Sequence, residues 1–168
     1  LTALNSTDAN GGIAGRLDLE VMGAFGHSLG GRICGGLAGT DERFAALATM
    51  EGVPPRDARQ SGMSASSLML YSSELPEEMA LPNIRELYDN RKAEATIIRL
   101  EGFGHNSVTD RPLIFPDNFD YDVDPGRALE VTRTILSAFF QAHLASGEFD
   151  PDRLGEMLEV TVIESSAP

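Results

Sequence analysis

Apolar residues in this chain gather in short dense runs: Val21-Met22-Gly23-Ala24-Phe25, Ala45-Ala46-Leu47-Ala48-Thr49-Met50, Leu68-Met69-Leu70-Tyr71 and Ala95-Thr96-Ile97-Ile98-Arg99-Leu100. Runs this short, without a polar alternate, predict strands buried on both faces, at about residues 20–26, 45–50, 68–71 and 95–100. Between them the period changes. The small-residue run from Leu29 to Gly39 predicts a helix packed close to a sheet. Pro82-Asn83 predicts the start of a helix over 83–93, with Ile84, Leu87 and Tyr88 on one face. Asp124-Pro125 predicts an N-cap followed by a first-turn proline, and Ala128 to Leu144 supplies a broad apolar face with Leu129, Leu136, Phe140 and Leu144. That helix should cover the sheet. Strands alternating with helices predict an α/β fold built on a parallel sheet covered on both faces.

The remaining stretches are polar or irregular. Residues 1–19, with Asn5-Ser6-Thr7-Asp8 and Gly11-Gly12, predict a connection into the first strand, and 52–66 a loop or short helix. The segment from Gly102 to about 123 is irregular. The tail from Ser146 is acidic, with one short helix near 151–157. No repeat or low-complexity tract is present.

Bulk properties narrow the function classes. A chain of 168 residues with 42% hydrophobic content fits one domain able to bury a core. The net charge of −13 repels nucleic acid and anionic membranes alike. One cysteine, Cys34, excludes an internal disulfide, and its glycine-rich surroundings predict a small buried residue. His27, His105 and His143 are too far apart to show metal-ligand spacing, so no metal is expected. No run of eighteen apolar residues exists to span a membrane. The chain begins at Leu1, which suggests a processed or partial chain and leaves the compartment, secreted or cytoplasmic, open.

Candidate chemistry centres on Gly26-His27-Ser28-Leu29-Gly30-Gly31. The G-x-S-x-G spacing makes chemical sense where a strand turns sharply into a helix, because the turn strains the serine and lifts its hydroxyl above the sheet. Gly26 and Gly30 are expected to relieve collisions across that turn. The helix that follows points its free amides at the place where an oxyanion would form, with the Leu29 N–H first among them. A serine nucleophile needs a base, and His105 is the candidate: Gly102 and Gly104 make its loop a flexible turn able to swing an imidazole over the strand ends. His27 should point away from Ser28 and shape a pocket wall, and His143 should be structural.

These residues carry a resemblance. Phe25-Gly26-His27-Ser28-Leu29-Gly30-Gly31, Asp41-Glu42-Arg43-Phe44, Met50-Glu51-Gly52, Tyr71-Ser72-Ser73-Glu74, Gly104-His105-Asn106-Ser107-Val108-Thr109-Asp110, Arg127-Ala128-Leu129 and Ala138-Phe139-Phe140 look like the C-terminal half of an α/β hydrolase. The nearest group is the type II platelet-activating-factor acetylhydrolase-like esterases, neighbours of dienelactone hydrolases and bacterial cutinases, over roughly residues 1–147. The resemblance implies a Ser28–His105 pair with an acid after the second strand, which falls on Glu51, where most members have Asp. Glu74, after the third strand, is the alternative acid. Glu51 is preferred because it ends a buried strand and is followed by Gly52. The resemblance further implies hydrolysis of a short-chain acyl ester or phospholipid-like ester, without a cofactor.

The four strands correspond to the last four of eight in that fold. Residues 1–168 are therefore expected to form the C-terminal portion of a single domain, without the loop carrying the second oxyanion donor. The first strand would then present an open edge that favours self-association. Two other readings remain: a truncated hydrolase with a non-catalytic binding role, and a polyester or cutin hydrolase.

Overall fold

The computed structural model describes residues 5, 6 and 14–166. Most of the expected N-terminal connection, residues 1–4 and 7–13, lies outside the described residues, as do 167 and 168. Five strands form one sheet: β1 (Met22–His27), β2 (Phe44–Met50), β3 (Ser66–Ser72), β4 (Ala95–Leu100) and β5 (Val160–Ser166). Their spatial order follows their sequence order. The first four are parallel, and β5 pairs antiparallel with β4.

Within residues 14–166 the helices are α1 (Leu29–Ala38), α2 (Arg56–Ser61), α3 (Glu77–Asp89), α4 (Arg111–Ile114), α5 (Pro125–Leu144) and α6 (Pro151–Leu154), with a 3₁₀ turn at Pro116–Asn118. Alternation along the strands sends side chains to two cores. Ala46, Ala48, Met50, Leu68, Leu70, Ile98 and Leu100 pack with Val131, Ile135 and Phe139 of α5. Leu47, Met69, Tyr71 and Ile97 pack with Leu81, Ile84 and Leu87 of α3. Strands β2 to β4 are thus covered on both faces, as their unalternated apolar runs require, whereas β1, expected to be buried as well, contains no buried residue and leaves Phe25 60% exposed at the sheet edge.

Three elements differ from expectation. The helix expected at 83–93 begins at Glu77, with Pro82 inside it. Its buried stripe runs back through Ala80 and Leu81, the first turn carries Glu77 and Glu78 at the positive end of the dipole, and Pro82 faces solvent. A carbonyl freed on that exposed side can be satisfied by water, so packing overrides the proline. In α5 the deepest residues are Ala128, Val131, Ile135 and Phe139, whereas Leu129, Leu136 and Phe140 flank them and Leu144 is exposed. The expected N-cap is present, with the Asp124 side chain accepting the Arg127 N–H at 3.0 Å. Finally, the acidic tail forms the unexpected β5. Arg127 anchors this region through a bidentate bond to Glu159 at 2.8 and 3.0 Å, and Glu159 precedes the strand. Cys34 is only partly buried and donates to the Phe25 carbonyl.

Candidate active site

Ser28 is the single residue between β1 and α1. Its φ of 54° and ψ of −121° lie where residues other than glycine seldom sit, at a cost on the order of 1–3 kcal/mol. Neighbouring backbone holds it there. The Ser28 N–H donates to the Met50 carbonyl at 2.8 Å, and the Ser28 carbonyl accepts from Arg32 N–H at 3.2 Å. A Cβ on Gly26 would lie 2.3 Å from the Gly30 carbonyl carbon, and one on Gly52 would lie 2.3 Å from the Ser28 carbonyl oxygen. Strand end, helix start and the turn after β2 therefore meet backbone to backbone. Gly30 does not play the expected part: a Cβ there would meet nothing within 4 Å, and the crowded helix position is Gly31, 2.8 Å from the Gly26 carbonyl oxygen.

The Ser28 hydroxyl lies 3.1 Å from Nε2 of His105. Hydrogen bonds brace the His105 loop in this conformation. Gly102, at φ 74°, donates to Ser73 Oγ at 2.9 Å, Gly104 donates to Ser107 Oγ at 2.9 Å, and Phe103 between them is buried in the core. The Tyr121 ring occupies the space a Cβ on Gly104 would need, with Cε1 1.9 Å from that position, and its hydroxyl accepts the Asn106 N–H at 3.3 Å.

Glu51 directly follows β2 and also has a positive φ of 54°. Its side chain is 4% exposed. One carboxylate oxygen accepts the Ser72 N–H at the end of β3. The other stands 3.6 Å from His105 Nδ1, within ion-pair reach and longer than a hydrogen bond. Catalytic hydrogen bonds commonly tighten only when substrate binds. Glu74 also reaches the histidine, at a different atom: its Oε2 accepts the His105 main-chain N–H at 2.7 Å.

His27 lies inside this constellation instead of facing away. Its Nε2 is 2.7 Å from the His105 carbonyl oxygen, and the two rings are 4.7 Å apart between centroids. A carbonyl can only accept, so the His27 proton sits on Nε2. Burial pushes the His27 pKa below its ordinary value, only partly offset by that carbonyl and by the Glu51 charge. The Leu29 N–H opens α1, where an amide has no carbonyl one turn earlier in the helix to bond. His143, on α5, packs its ring against Phe139 with Glu94 3.6 Å away, remote from this cluster in the fold.

Sequence reasoning missed Ser107, Tyr121 and the main-chain contacts of His27 and Glu74. Ser107, close behind His105 in the loop, was the one with a local signal. Among the described residues, no group of three His, Cys, Asp or Glu could hold a metal ion, and no helix is long and apolar enough to cross a membrane.

Comparison with known proteins bears on the family and the fold. The family model described as platelet-activating factor acetylhydrolase, isoform II, matches residues 6–157. No curated protein sequence matches the chain. Among solved structures, a ferulic acid esterase from Streptomyces cinnamoneus superposes with a TM-score of 0.72 at 26% identity, over 88% of this chain and 48% of that one. The chain thus spans about half the length of that esterase and shares its α/β-hydrolase fold.

Proposed function

The chain belongs to the platelet-activating factor acetylhydrolase isoform II family, and on that footing we propose that it carries the nucleophile, base and acid of a serine esterase. The observation that carries the reading is the 3.1 Å approach of His105 Nε2 to Ser28 Oγ, with Ser28 held in a strained strand-to-helix turn. In this reading Ser28 Oγ attacks the ester carbonyl carbon while its proton passes to His105 Nε2. Glu51 stabilises the imidazolium through Nδ1. The Leu29 N–H donates to the oxyanion. Collapse of the tetrahedral intermediate breaks the bond to the leaving alcohol, which takes the proton from His105. Water then attacks the acyl-serine, its proton going to His105, and the acid is released as Ser28 regains its hydrogen.

The reading extends to short-chain acyl or phospholipid-like esters, supported by the family and by Leu113, Ile114 and Phe115 on the segment after the His105 loop, all more than half exposed. The esterase likeness favours aromatic acyl esters as a second substrate class. The share of that esterase covered supports reading the chain as a portion of one such domain, which we take to be the C-terminal one from the order of its motifs. The test is a fluorophosphonate probe with peptide mapping, followed by turnover of acetyl, long-chain acyl and feruloyl esters by the full-length protein. The probe should modify Ser28 alone and the acetyl ester should turn over fastest. Labelling that survives Ser28→Ala would sink the nucleophile assignment.

A further inference from the structure

His105 is gripped by its main chain as well as by its ring. Its N–H donates to Glu74 Oε2 at 2.7 Å from the end of β3, and its carbonyl accepts from His27 Nε2 at 2.7 Å from the end of β1. The two bonds approach the same residue from opposite sides along the chain and from strands two places apart in the sheet. The loop itself is also braced at Gly102, Gly104 and Asn106 by Ser73, Ser107 and Tyr121, apart from these two bonds. What they fix is where the His105 ring is launched from.

We propose that His27 and Glu74 are positioning residues that clamp the two peptide groups of His105 and so hold its Nε2 on Ser28 Oγ and its Nδ1 toward Glu51. The inference rests on the esterase reading above. A ring that swings on one Cα–Cβ bond converts a small main-chain shift into a larger displacement of Nε2, and a misplacement of about 1 Å can cost about 10²-fold in rate. His27 is the stronger arm, because its bond is partly buried while that of Glu74 is exposed to water. Neutral His27 also suits its place: a second cation 4.7 Å from the His105 ring would oppose the imidazolium that forms during catalysis. Glu74 is thereby given a role distinct from that of a catalytic acid, since its carboxylate is spent on an amide rather than on Nδ1.

The test uses matched pairs in the full-length protein. His27→Gln keeps an N–H donor near the Nε2 position, and His27→Phe keeps the ring without it. Glu74→Gln keeps an acceptor, and Glu74→Met removes it at similar length. The expected result is a fall in kcat of about 10–100-fold for His27→Phe and about 3–10-fold for Glu74→Met, with KM little changed. His27→Gln and Glu74→Gln should recover most of the lost rate. Fluorophosphonate labelling rates at Ser28 should follow the same order. Equal losses in both members of each pair, or a wild-type labelling rate in His27→Phe, would overturn the clamp while leaving Ser28 as nucleophile. A Glu74→Gln loss as deep as that of Glu51→Gln would overturn it too, and would make Glu74 the acid. If His27→Phe fails to fold, the Glu74 pair decides alone. Failure of the esterase reading would show separately, as labelling or turnover indifferent to Ser28→Ala.

Discussion

The main-chain N–H of Ser28 donates to the Met50 carbonyl at 2.8 Å, which makes the strained elbow and the turn that carries Glu51 one hydrogen-bonded unit. Both Ser28 and Glu51 have φ of 54°, and Gly52 passes beneath the Ser28 carbonyl with no room for a Cβ. The strain at Ser28 and Glu51 is therefore borne by shared backbone contacts, and a change in one turn is felt in the other.

Replacing Glu51 should act on turnover rather than on binding. Glu51→Gln leaves shape nearly intact but removes the charge facing the His105 imidazolium, so kcat should fall about 10³–10⁴-fold with KM little altered. Glu51→Asp, shorter by one methylene, should keep part of the rate. Steady-state kinetics on an acetyl ester separates these outcomes, and a Glu51→Gln enzyme within tenfold of wild type would remove Glu51 from the mechanism.

The glycines of the elbow should not be equivalent. Gly26→Ala places a Cβ against the Gly30 backbone and should prevent the turn, with loss of folded protein or of Ser28 labelling. Gly30→Ala adds a methyl into open space within a helix, where alanine is favoured over glycine by roughly 0.5–1 kcal/mol. Urea melts should show Gly30→Ala at least as stable as wild type. A Gly30→Ala protein as damaged as Gly26→Ala would mean that the elbow's crowding is misjudged.

Much of this fold is legible in the sequence because strands buried on both faces leave no polar alternate, and β2 to β4 stand out for that reason, while β1 shows the same apolar run without the same burial. Ser28 is legible too, because a strand, a glycine-flanked serine and a helix form a local pattern. The acid is less so: Glu51 and Glu74 both follow strands, and only the three-dimensional path shows one near Nδ1 and the other on an amide. The contact of His27 with a carbonyl 78 residues away has no local signature. Strand β5 did carry a signal, since Val160-Thr161-Val162-Ile163 is β-branched throughout, but the acidic residues around it masked the run. Pro82 misled because a proline boundary is a local rule, and the buried face of α3 overrides it.

Acid should destabilise the protein through its half-buried imidazoles before its carboxylates titrate. Burial lowers the pKa of His143, with Glu94 opposing, and lowers that of His27. A group with a depressed folded pKa is protonated first in the unfolded chain, so unfolded protein binds more protons as pH falls below about 6.5. Stability is then fully present above that pH and is lost as pH falls toward the folded value. His143→Gln removes one of the two groups, and its melting temperature should vary less between pH 7.5 and pH 5.5 than that of wild type. Identical pH profiles would show that His143 carries no penalty for charging.

Phe25, Leu29, Ile33 and Leu37 are each more than half exposed. Leu29, Ile33 and Leu37 lie at i, i+4 and i+8 along α1, and Phe25 stands on β1, which among the described strands pairs only with β2. An apolar groove of about 400 Å³, lined by Phe25, Leu136 and Phe140, lies where β1 meets α5, on the other side of the sheet from α1. Exposed apolar side chains on both sides of a strand edge that is unpaired among the described residues favour contact between copies of the 168-residue chain, whereas a net charge of −13 opposes it. Charge repulsion is screened over about 8 Å at physiological ionic strength, and added salt weakens it further while leaving apolar contact intact. Self-association of this chain is therefore expected to grow with both concentration and salt. Ile33→Glu combined with Leu37→Glu should shift it toward monomer without touching the Ser28–His105 pair. Sedimentation velocity reads both effects, and a chain that stays monomeric at every salt and concentration would show that this face does not bind its own copy.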